Sequence, residues 1–428
     1  MKKIISSISS LYLSRALRNI LILSTILFTL SIDKRIQQLF YSENNSTESQ
    51  SPFRRECPVL QKRLLALVPN SSKNWSVTVL DENRNIISDI NGYVPRVPAS
   101  NMKLFSTAYA LEMLGPDFRL TTKLIKRRNG VLDIRGEGDP DLTLKDLGFL
   151  TEKASKTLQT RIEKNKPPKV ILYEEPISNW WPDTWHENDR LQSYGSPITR
   201  LAITSNSINS SISNPLDRFY NSVKTQLITN HGITPLIEEK LFTPKTDIIS
   251  GSRLIAEVKS APMISLLSLA NSESHNFTAE VLLRNAADSW EPSEFSTRLK
   301  QWVVSKNIPS QNLIFVDGSG LSRANRATTI GITSLLWYMD THEYSKFYKS
   351  SMAIIGKRGT LTNFIALSKI NGNFYGKTGT LNGVRAISGI LHIPNNIRYV
   401  SIIHNNSNYS DTTISNMLET IYRFSRCP

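Results

Sequence analysis

The sequence predicts an α+β fold, in which helices flank an antiparallel sheet and a β-rich domain is inserted into the chain. Four stretches have the composition of strands, two near the start and two near the end: 75–80, 85–90, 384–393 and 398–403. Apolar residues recur at helical spacing at 57–68, and a last helix is predicted at 412–424. Strands from both ends can close one sheet, so the segment between them becomes an insertion.

The first 35 residues differ from the rest of the chain. Cations precede and follow an apolar run at residues 20–32, which as a helix would rise only about 20 Å, short of the roughly 30 Å of a bilayer core. This length favours an export signal over a membrane span, although no A-x-A cleavage site follows the run and Thr29-Leu30-Ser31 is only a weak substitute. An uncleaved membrane tether through residues 20–32 and a buried helix remain alternatives. Either of the first two places the remainder outside the cytoplasm, in the periplasm or on the outer face of the membrane.

Composition divides the remainder into three parts. Residues 36–56 contain a polar, Ser- and Asn-rich stretch and form a predicted linker. Residues 57–120 and 259–428 form the predicted main domain, which includes helices at 100–114 and from 261 to about 283. Residues 121–258 form the insertion. Its short strand-like runs, separated by polar loops, are 170–173, 201–204 and 240–243.

The charge and the few metal-binding side chains exclude several classes of function. The formal net charge is +15, which suits an anionic partner such as cell wall or lipid headgroups, or is simply a solvated basic surface. Lysine and arginine are dispersed and no nucleic-acid motif occurs, so no nucleic-acid partner is predicted. The six histidines form no close pair, so no metal site or cofactor is predicted. Cys57 and Cys427 are either two unrelated thiols or a disulfide that joins the chain ends.

Three short motifs follow one another along the chain and fit a single active site. The first is Ser100-Asn101-Met102-Lys103, which places a serine nucleophile one helical turn from a lysine base. The lysine can act as a base only if burial or a nearby cation, such as Lys377, lowers its pKa. Ser100 also opens its helix, where free N–H groups favour developing negative charge. Alone, the motif is also consistent with an exposed lysine beside a helix-capping serine.

The second and third motifs supply the remaining roles. In Ser274-His275-Asn276, Ser274 would pass a proton to the leaving group and Asn276 would hold a substrate amide; alternatively, Ser274 only caps a helix. In the K-T-G motif, Lys377 and Thr378 would grip a substrate carboxylate and Gly379 would permit close backbone approach. The Thr380 N–H would complete an oxyanion hole with that of Ser100. Each motif is weak alone, but their order and context together indicate an acyl-serine site.

With these motifs, the chain resembles the penicillin-binding protein 4 family, the low-molecular-mass class C D-alanyl-D-alanine carboxypeptidases and endopeptidases. The resemblance covers about Cys57 to Phe424. Its most specific stretch is D-G-S-G-L-S-R at 317–323, and further similar stretches are 98–100, 138–140, 359–361 and 377–381. It implies a penicillin-binding transpeptidase/β-lactamase-like domain. The β-rich domain would be inserted into it between the S-x-x-K and S-x-N motifs.

The resemblance also implies a substrate and its binding residues. It implies a serine D,D-peptidase that cleaves D-Ala-D-Xaa bonds of peptidoglycan stem peptides, needs no cofactor and is acylated by β-lactam antibiotics. The family has an aspartate and an aromatic residue that bind the free amino end of the stem peptide, and Asp189 and Tyr194 are the best matches. Arg323 is expected to meet a carboxylate of the same side chain. The alternative for Asp189 and Arg323 is an ordinary surface charge.

The sequence departs from the family at His275, where aspartate is common, and in a shorter insertion. No E-x-x-L-N segment of the class A β-lactamases occurs, which argues for slow release of penicillin. A P-loop is excluded because the stretch before Lys377 is one residue short and leads into a strand. No G-x-S-x-G motif occurs, so the usual α/β-hydrolase signal is missing. A non-catalytic penicillin-binding sensor or wall-binding module on the same fold remains the rival function.

Overall fold

Helices and two separate sheets make up the computed structural model, which describes residues 57–68, 72–243, 251–364, 368–406 and 411–427. The strands in chain order are β1 (Trp75–Leu80), β2 (Ile86–Ile90), β3 (Thr121–Lys126), β4 (Leu132–Gly136), β5 (Lys169–Glu174), β6 (Leu236–Leu241), β7 (Arg253–Lys259), β8 (Ala353–Ile354), β9 (Phe374–Leu381), β10 (Val384–Ile393) and β11 (Asn396–Asn405). The helices are α1 (Pro58–Ala66), α2 (Met102–Leu114), α3 (Leu144–Glu163), α4 (Glu187–Arg190), α5 (Pro215–His231), α6 (Met263–Asn271), α7 (Asn276–Ala286), α8 (Pro292–Ser305), α9 (Thr329–Thr341), α10 (Ser345–Ser350) and α11 (Asp411–Phe424).

The first sheet joins the two ends of the chain, as the sequence predicts. Its strand order is β2-β1-β11-β10-β9-β8, and every neighbouring pair is antiparallel. Strand β1 lies directly against β11, with Val77 opposite Ile402. Apolar residues from both strands are buried because helices cover both faces of the sheet. The predicted antiparallel sheet flanked by helices is therefore confirmed.

A disulfide ties the two terminal helices together. Cys57, immediately before α1, is bonded to Cys427, and their Cα atoms lie 5.6 Å apart. Apolar residues of α1 and α11 share one core on the outer face of the first sheet. In the chain-entropy model, closing a loop with a sequence separation of 370 contributes about 6 kcal/mol to stability. Of the two alternatives for the cysteines, the structure has the disulfide.

The second sheet belongs to the insertion and has its own core. Its strand order is β6-β5-β4-β3-β7, and its strands lie between Thr121 and Lys259, against predicted insertion bounds of 121–258. The pairs β4–β5 and β5–β6 are parallel. Parallel neighbours need a crossover, and helices α3 and α5 lie in the two connections. Both helices pack on the sheet, and this core contains no residue from the first sheet.

The insertion contains a five-stranded sheet, but the prediction of a β-rich domain missed these two helices. Their signals were present in the sequence. Thr143 and Asp146 form a capping box before α3, and Asn214 caps α5 with Pro215 in its first turn. The predicted strand at 201–204 was also wrong. Leu201 and Ile203 are buried in the insertion core, but the chain there runs into a 3-10 turn at Thr204–Asn206.

Helix α2 runs through the middle of the main domain. Ten consecutive residues, Met102 to Leu111, are buried among helices α6 to α9. The predicted single helix from 261 to 283 is instead two helices, α6 and α7, separated at 272–275. Ser274 adopts a φ of +64° in this break, a conformation that no helix interior accommodates. The break brings Ser274 to the start of α7 rather than onto a helical face.

The predicted export segment, 1–35, and linker, 36–56, lie outside the described residues. Within the part of the chain that is described, no helix has both the length and the apolar character needed to cross a membrane.

Candidate active site

Ser100 lies in a short 3-10 turn, Ala99–Asn101, that leads directly into α2. Ala99 has a φ of +48°, which is uncommon for a residue with a side chain. Gly320 packs against this turn so closely that a Cβ atom there would lie 1.8 Å from the Ala99 carbonyl oxygen. Only glycine fits at position 320, and its backbone therefore helps to fix the turn that carries Ser100.

Lys103 is completely buried and directs its amine at Ser100. Its Nζ atom donates to Ser100 Oγ at 3.0 Å, to Asn276 Oδ1 at 2.6 Å and to the Ser319 carbonyl at 2.7 Å. Burial lowers the pKa of Lys103 to about 7, although the charges of Asp317 and Glu280 act in the opposite direction. A lowered pKa of Lys103 was predicted as the condition for its role as base. Of the two predicted causes, burial and a nearby cation, burial is the main one. At neutral pH a large fraction of the amine is free to accept a proton from Ser100.

Two buried carboxylates hold the segment that supports Lys103. Glu280 Oε1 accepts from the backbone N–H groups of Gly318 and Ser319, at 2.9 and 2.8 Å. Asp317 Oδ1 accepts from the Gly320 N–H at 2.7 Å. Sequence reasoning noted the D-G-S-G-L-S-R run only as a family signature and assigned no role to Glu280. An acidic residue four positions beyond Asn276, one turn along the same helix, was the available signal.

The S-x-N motif supplies a second wall of the site. Ser274 and Ser100 line the same cavity. Asn276 is the first residue of α7; its Oδ1 faces Lys103 and its Nδ2 donates to the Tyr194 carbonyl at 2.8 Å. The N-cap position of α7 is His275, so Ser274 is not the cap that the alternative interpretation assumed. His275 Nδ1 lies 2.8 Å from Thr278 Oγ1, and burial lowers its pKa to about 4, so the ring stays neutral.

The K-T-G motif lies inside β9, not before a strand as predicted. Thr378, Gly379 and Thr380 line the cavity of about 330 Å³ that also contains Ser100 and Ser274. A Cβ atom at Gly379 would lie 2.6 Å from the Pro98 carbonyl oxygen, so glycine is required where β9 meets the nucleophile turn. The Thr378 hydroxyl donates to Thr360 Oγ1 at 2.9 Å. Thr360 is a lining residue that sequence reasoning did not single out.

Lys377 differs from its neighbours in the motif because its side chain is buried. It has no exposed surface, does not line the cavity, and donates to the Thr378 carbonyl at 3.1 Å. Burial, and then the nearby charge of Lys103, lower the pKa of Lys377 well below its usual value. Lys377 therefore lies outside the lining of this cavity, and its expected grip on a substrate carboxylate stays a prediction.

A second cavity, of about 640 Å³, brings together the residues expected to read the substrate side chain. Asp189 and Arg323 both line it, with Trp185 and Leu321 as apolar neighbours. Tyr194 is 48% exposed, and its hydroxyl donates to Asp189 Oδ1 at 3.0 Å. The Arg323 guanidinium donates to the carbonyl of Asn382 at 2.6 Å. Asn382 directly follows β9, so this bond ties Arg323 to the end of that strand.

Hydrogen bonds fix this part of the insertion to the catalytic residues. Trp185 Nε1 donates to Asp317 Oδ2 at 2.8 Å, and Thr184 Oγ1 lies 2.7 Å from Ser322 Oγ. The Tyr194 carbonyl meets Asn276, which in turn contacts Lys103. The second cavity is therefore built from the same network that holds the nucleophile's base. Within the described ranges, no cluster of three or more His, Cys, Asp or Glu residues is arranged to hold a metal ion.

Comparisons with known proteins agree with this geometry. The sequence matches the family described as the D-Ala-D-Ala carboxypeptidase 3 (S13) family over residues 60–218 and 211–424. It is 24% identical over 403 residues to a D-alanyl-D-alanine carboxypeptidase of Actinomadura sp. strain R39, covering 72% of this chain and 73% of that protein. It is 28% identical over 361 residues to carboxypeptidase DacB of Mycolicibacterium smegmatis, covering 78% and 76%.

A solved structure shares the fold. Penicillin-binding protein 4 of Haemophilus influenzae superposes with a TM-score of 0.68 at 20% identity, covering 86% of this chain and 98% of that one. At this identity the likeness establishes the fold alone. Since 86% of this chain is covered and residues 121–258 are about a third of it, the superposition extends into the insertion.

Proposed function

The chain belongs to the D-Ala-D-Ala carboxypeptidase 3 (S13) family, and from this premise we propose that it is a serine D,D-peptidase that hydrolyses D-Ala-D-Xaa bonds of peptidoglycan stem peptides through an acyl-enzyme on Ser100. The observation that carries the proposal is the buried Lys103 amine, 3.0 Å from Ser100 Oγ at the edge of an open cavity. A nucleophile beside a base with a lowered pKa is the requirement for acyl transfer at neutral pH.

The first step is acylation of Ser100. The free amine of Lys103 takes the Ser100 hydroxyl proton while Oγ attacks the carbonyl carbon of the D-Ala residue. The backbone N–H groups of Ser100 and Thr380 stabilise the oxyanion. Ser274 gives its proton to the departing amine and regains one from Lys103, the C–N bond breaks, and the D-Xaa residue leaves. Asn276 holds the acyl-side amide, and Thr378, the neighbour of Lys377 in the motif, binds the terminal carboxylate.

The second step releases the acyl group. Water attacks the Ser100 ester, Lys103 accepts the water proton and returns it to Ser100 Oγ, and the shortened peptide dissociates. A β-lactam would acylate Ser100 in the same way, but its leaving group stays attached to the acyl chain. Penicillin-binding protein 4 of Haemophilus influenzae has been solved in complex with a β-lactam, which supports β-lactam binding here. The sequence has no E-x-x-L-N segment to speed deacylation.

The base should give acylation a characteristic dependence on pH. Below the Lys103 pKa of about 7 the amine is protonated, so each further unit of pH reduces the competent fraction about tenfold. Above it the rate should level off, because the amine is already free. We expect the second-order rate of penicillin acylation to rise and then reach a plateau between about pH 5 and 9. A rate that is independent of pH across this range would contradict the role of Lys103 as base.

Direct turnover tests the reaction itself. The purified protein should release D-alanine from a stem peptide that ends in D-Ala-D-Ala and leave the same peptide ending in D-Ala-L-Ala intact. Turnover also separates this function from that of a non-catalytic penicillin-binding sensor, which would release the peptide unchanged. Failure to cleave either peptide would contradict the proposed activity.

We propose that Asp189 and Arg323 select the zwitterionic end of the stem-peptide side chain. Both line one cavity, so a carboxylate and a guanidinium face the same space. The Asp189 carboxylate would bind the ammonium and Arg323 the carboxylate of that group, and opposite charges at fixed positions select both identity and orientation. Tyr194 supports the site because its hydroxyl holds Asp189 and its carbonyl holds Asn276.

Replacement of Asp189 by asparagine is expected to lower kcat/KM for a stem peptide with a free amino group by about 10- to 100-fold, the value of a charge-assisted hydrogen bond. A peptide with that amine acetylated should be hydrolysed by both enzymes at similar rates. The matched control is Asp141→Asn, which removes the same charge from an exposed residue outside the cavity. Equal losses on both peptides would refute the role of Asp189.

We further propose that the protein acts outside the cytoplasm, exported by the N-terminal segment 1–35, with an uncleaved tether through 20–32 as the alternative to a cleaved signal. The Cys57–Cys427 disulfide supports this location, because such bonds persist in oxidising compartments. Peptidoglycan lies there as well. Recovery of the protein in the cytoplasmic fraction with both thiols free would contradict the proposal.

A further inference from the structure

The active-site cavity continues past the K-T-G strand to a charged pair. Beyond Thr378 and Thr380, its lining includes Arg385 on β10 and Asp411 at the start of α11. Arg385 Nε lies 3.7 Å from Asp411 Oδ1, and the two side chains are 38% and 65% exposed. Neither residue was singled out by the sequence motifs or needed for the acylation steps.

Strand register places Arg385 beside the carboxylate-binding residues. In the β9–β10 pair Arg385 lies opposite Thr380, and Thr378 lies opposite Ile387. Residues directly opposite one another in an antiparallel pair project from the same face, with Cβ atoms about 5 Å apart. The long side chain of Arg385 can therefore reach the space above Thr378 and Thr380, where the departing residue would lie.

The cavity otherwise lacks a cation at its surface. Among the described residues that line it, Arg385 alone carries a full positive charge, and Asp411 is the matching acid. Lys377 has no exposed surface and does not line the cavity. A guanidinium cannot be deprotonated in a protein and can bind a carboxylate through two parallel hydrogen bonds.

We propose that Arg385 is a specificity-determining residue that binds the carboxylate of the departing D-residue, together with the Thr378 hydroxyl. The inference rests on the proposed function and adds to it the group that selects a free carboxylate at this subsite. Arg385 is paired with Asp411, and its Nη1 atom donates to the carbonyls of Leu381 and Val384 at 3.5 and 3.1 Å. Since both side chains are partly exposed, this pairing is weak, and a substrate carboxylate can take over the guanidinium.

Paired peptides test the inference. Two stem peptides ending in D-Ala-D-Ala, one with a free C-terminal carboxylate and one with a C-terminal amide, are compared by kcat/KM. Arg385→Gln is expected to lower kcat/KM for the acid by about 10- to 100-fold and for the amide by less than about threefold. Arg385→Lys, which keeps the charge, should recover part of the loss. Asp411→Asn should lower KM for the acid, since a competing carboxylate is removed.

The matched control is Arg423→Gln, which removes an exposed arginine from the last turn of α11. It should leave both rates within about twofold of the wild type, as is usual for surface substitutions. An Arg385→Gln enzyme that keeps the wild-type ratio of acid to amide hydrolysis would overturn the inference alone. A wild-type protein that cleaves neither peptide and takes up no penicillin would overturn the proposed function and this inference with it.

Discussion

Replacement of Ser100 by alanine is expected to lower kcat/KM for a D-Ala-D-Ala stem peptide by about 10⁵- to 10⁶-fold, the loss typical of removing a catalytic nucleophile. The variant retains the backbone N–H of residue 100 and the whole cavity wall, so peptide binding should persist. Only the atom that forms the acyl bond is missing. The measurement is D-alanine release over a long incubation, at enzyme concentrations high enough to detect the residual rate.

The fold should tolerate this substitution. The Ser100 hydroxyl has one described side-chain contact, with Lys103, and alanine fits the space without a new polar group. Ser305→Ala is a suitable control, because that exposed serine bonds only to the Trp302 carbonyl of its own helix. If Ser100→Ala kept more than about a hundredth of the wild-type activity, a different nucleophile would have to be sought.

Replacement of Lys103 by methionine is expected to slow acylation of Ser100 by about 10²- to 10⁴-fold, the contribution of a positioned general base. Methionine approximates the length of the lysine stem but cannot accept a proton. The rate is measured as the time course of penicillin addition to the intact protein. The rise of this rate towards neutral pH should also disappear, because the group with a pKa of about 7 is gone.

Two features distinguish loss of the base from loss of structure. The substitution leaves Asn276 Oδ1 and the Ser319 carbonyl without their buried donor, so some loss of stability is expected and thermal unfolding must be compared. Lys156→Met, at an exposed position on α3, provides the control for the general effect of this exchange. A folded Lys103→Met protein that reacts with penicillin at nearly the wild-type rate would show that another group is the base.

The strands of the sheet and the reacting residues could be predicted from the sequence, because each depends on residues that lie close together along the chain. The strand at 384–393 is rich in valine, isoleucine and leucine, and the structure gives it the same bounds. Ser100 and Lys103 are three residues apart, so their proximity follows from helical geometry alone. The pairing of β1 with β11 confirms the prediction that strands from both ends of the main domain close one sheet.

Other features depend on contacts between distant segments, which local pattern does not encode. The Glu280 carboxylate meets the Ser319 N–H because α7 packs against the D-G-S-G loop. The positive φ of Ser274 occurs in the break between α6 and α7, at residues 272–275. The position of Arg385 depends on the exact register of β9 and β10, and a shift of one residue would turn its side chain to the other face.

The central claim is that Ser100 forms a covalent acyl-enzyme in this cavity. The most direct measurement is the mass of the intact protein after incubation with a penicillin, followed by mapping of the modified peptide. The expected result is a gain of one drug molecule, located on Ser100 and absent from the Ser100→Ala protein. A wild-type protein that gains no mass, or an adduct that persists in Ser100→Ala, would contradict the account.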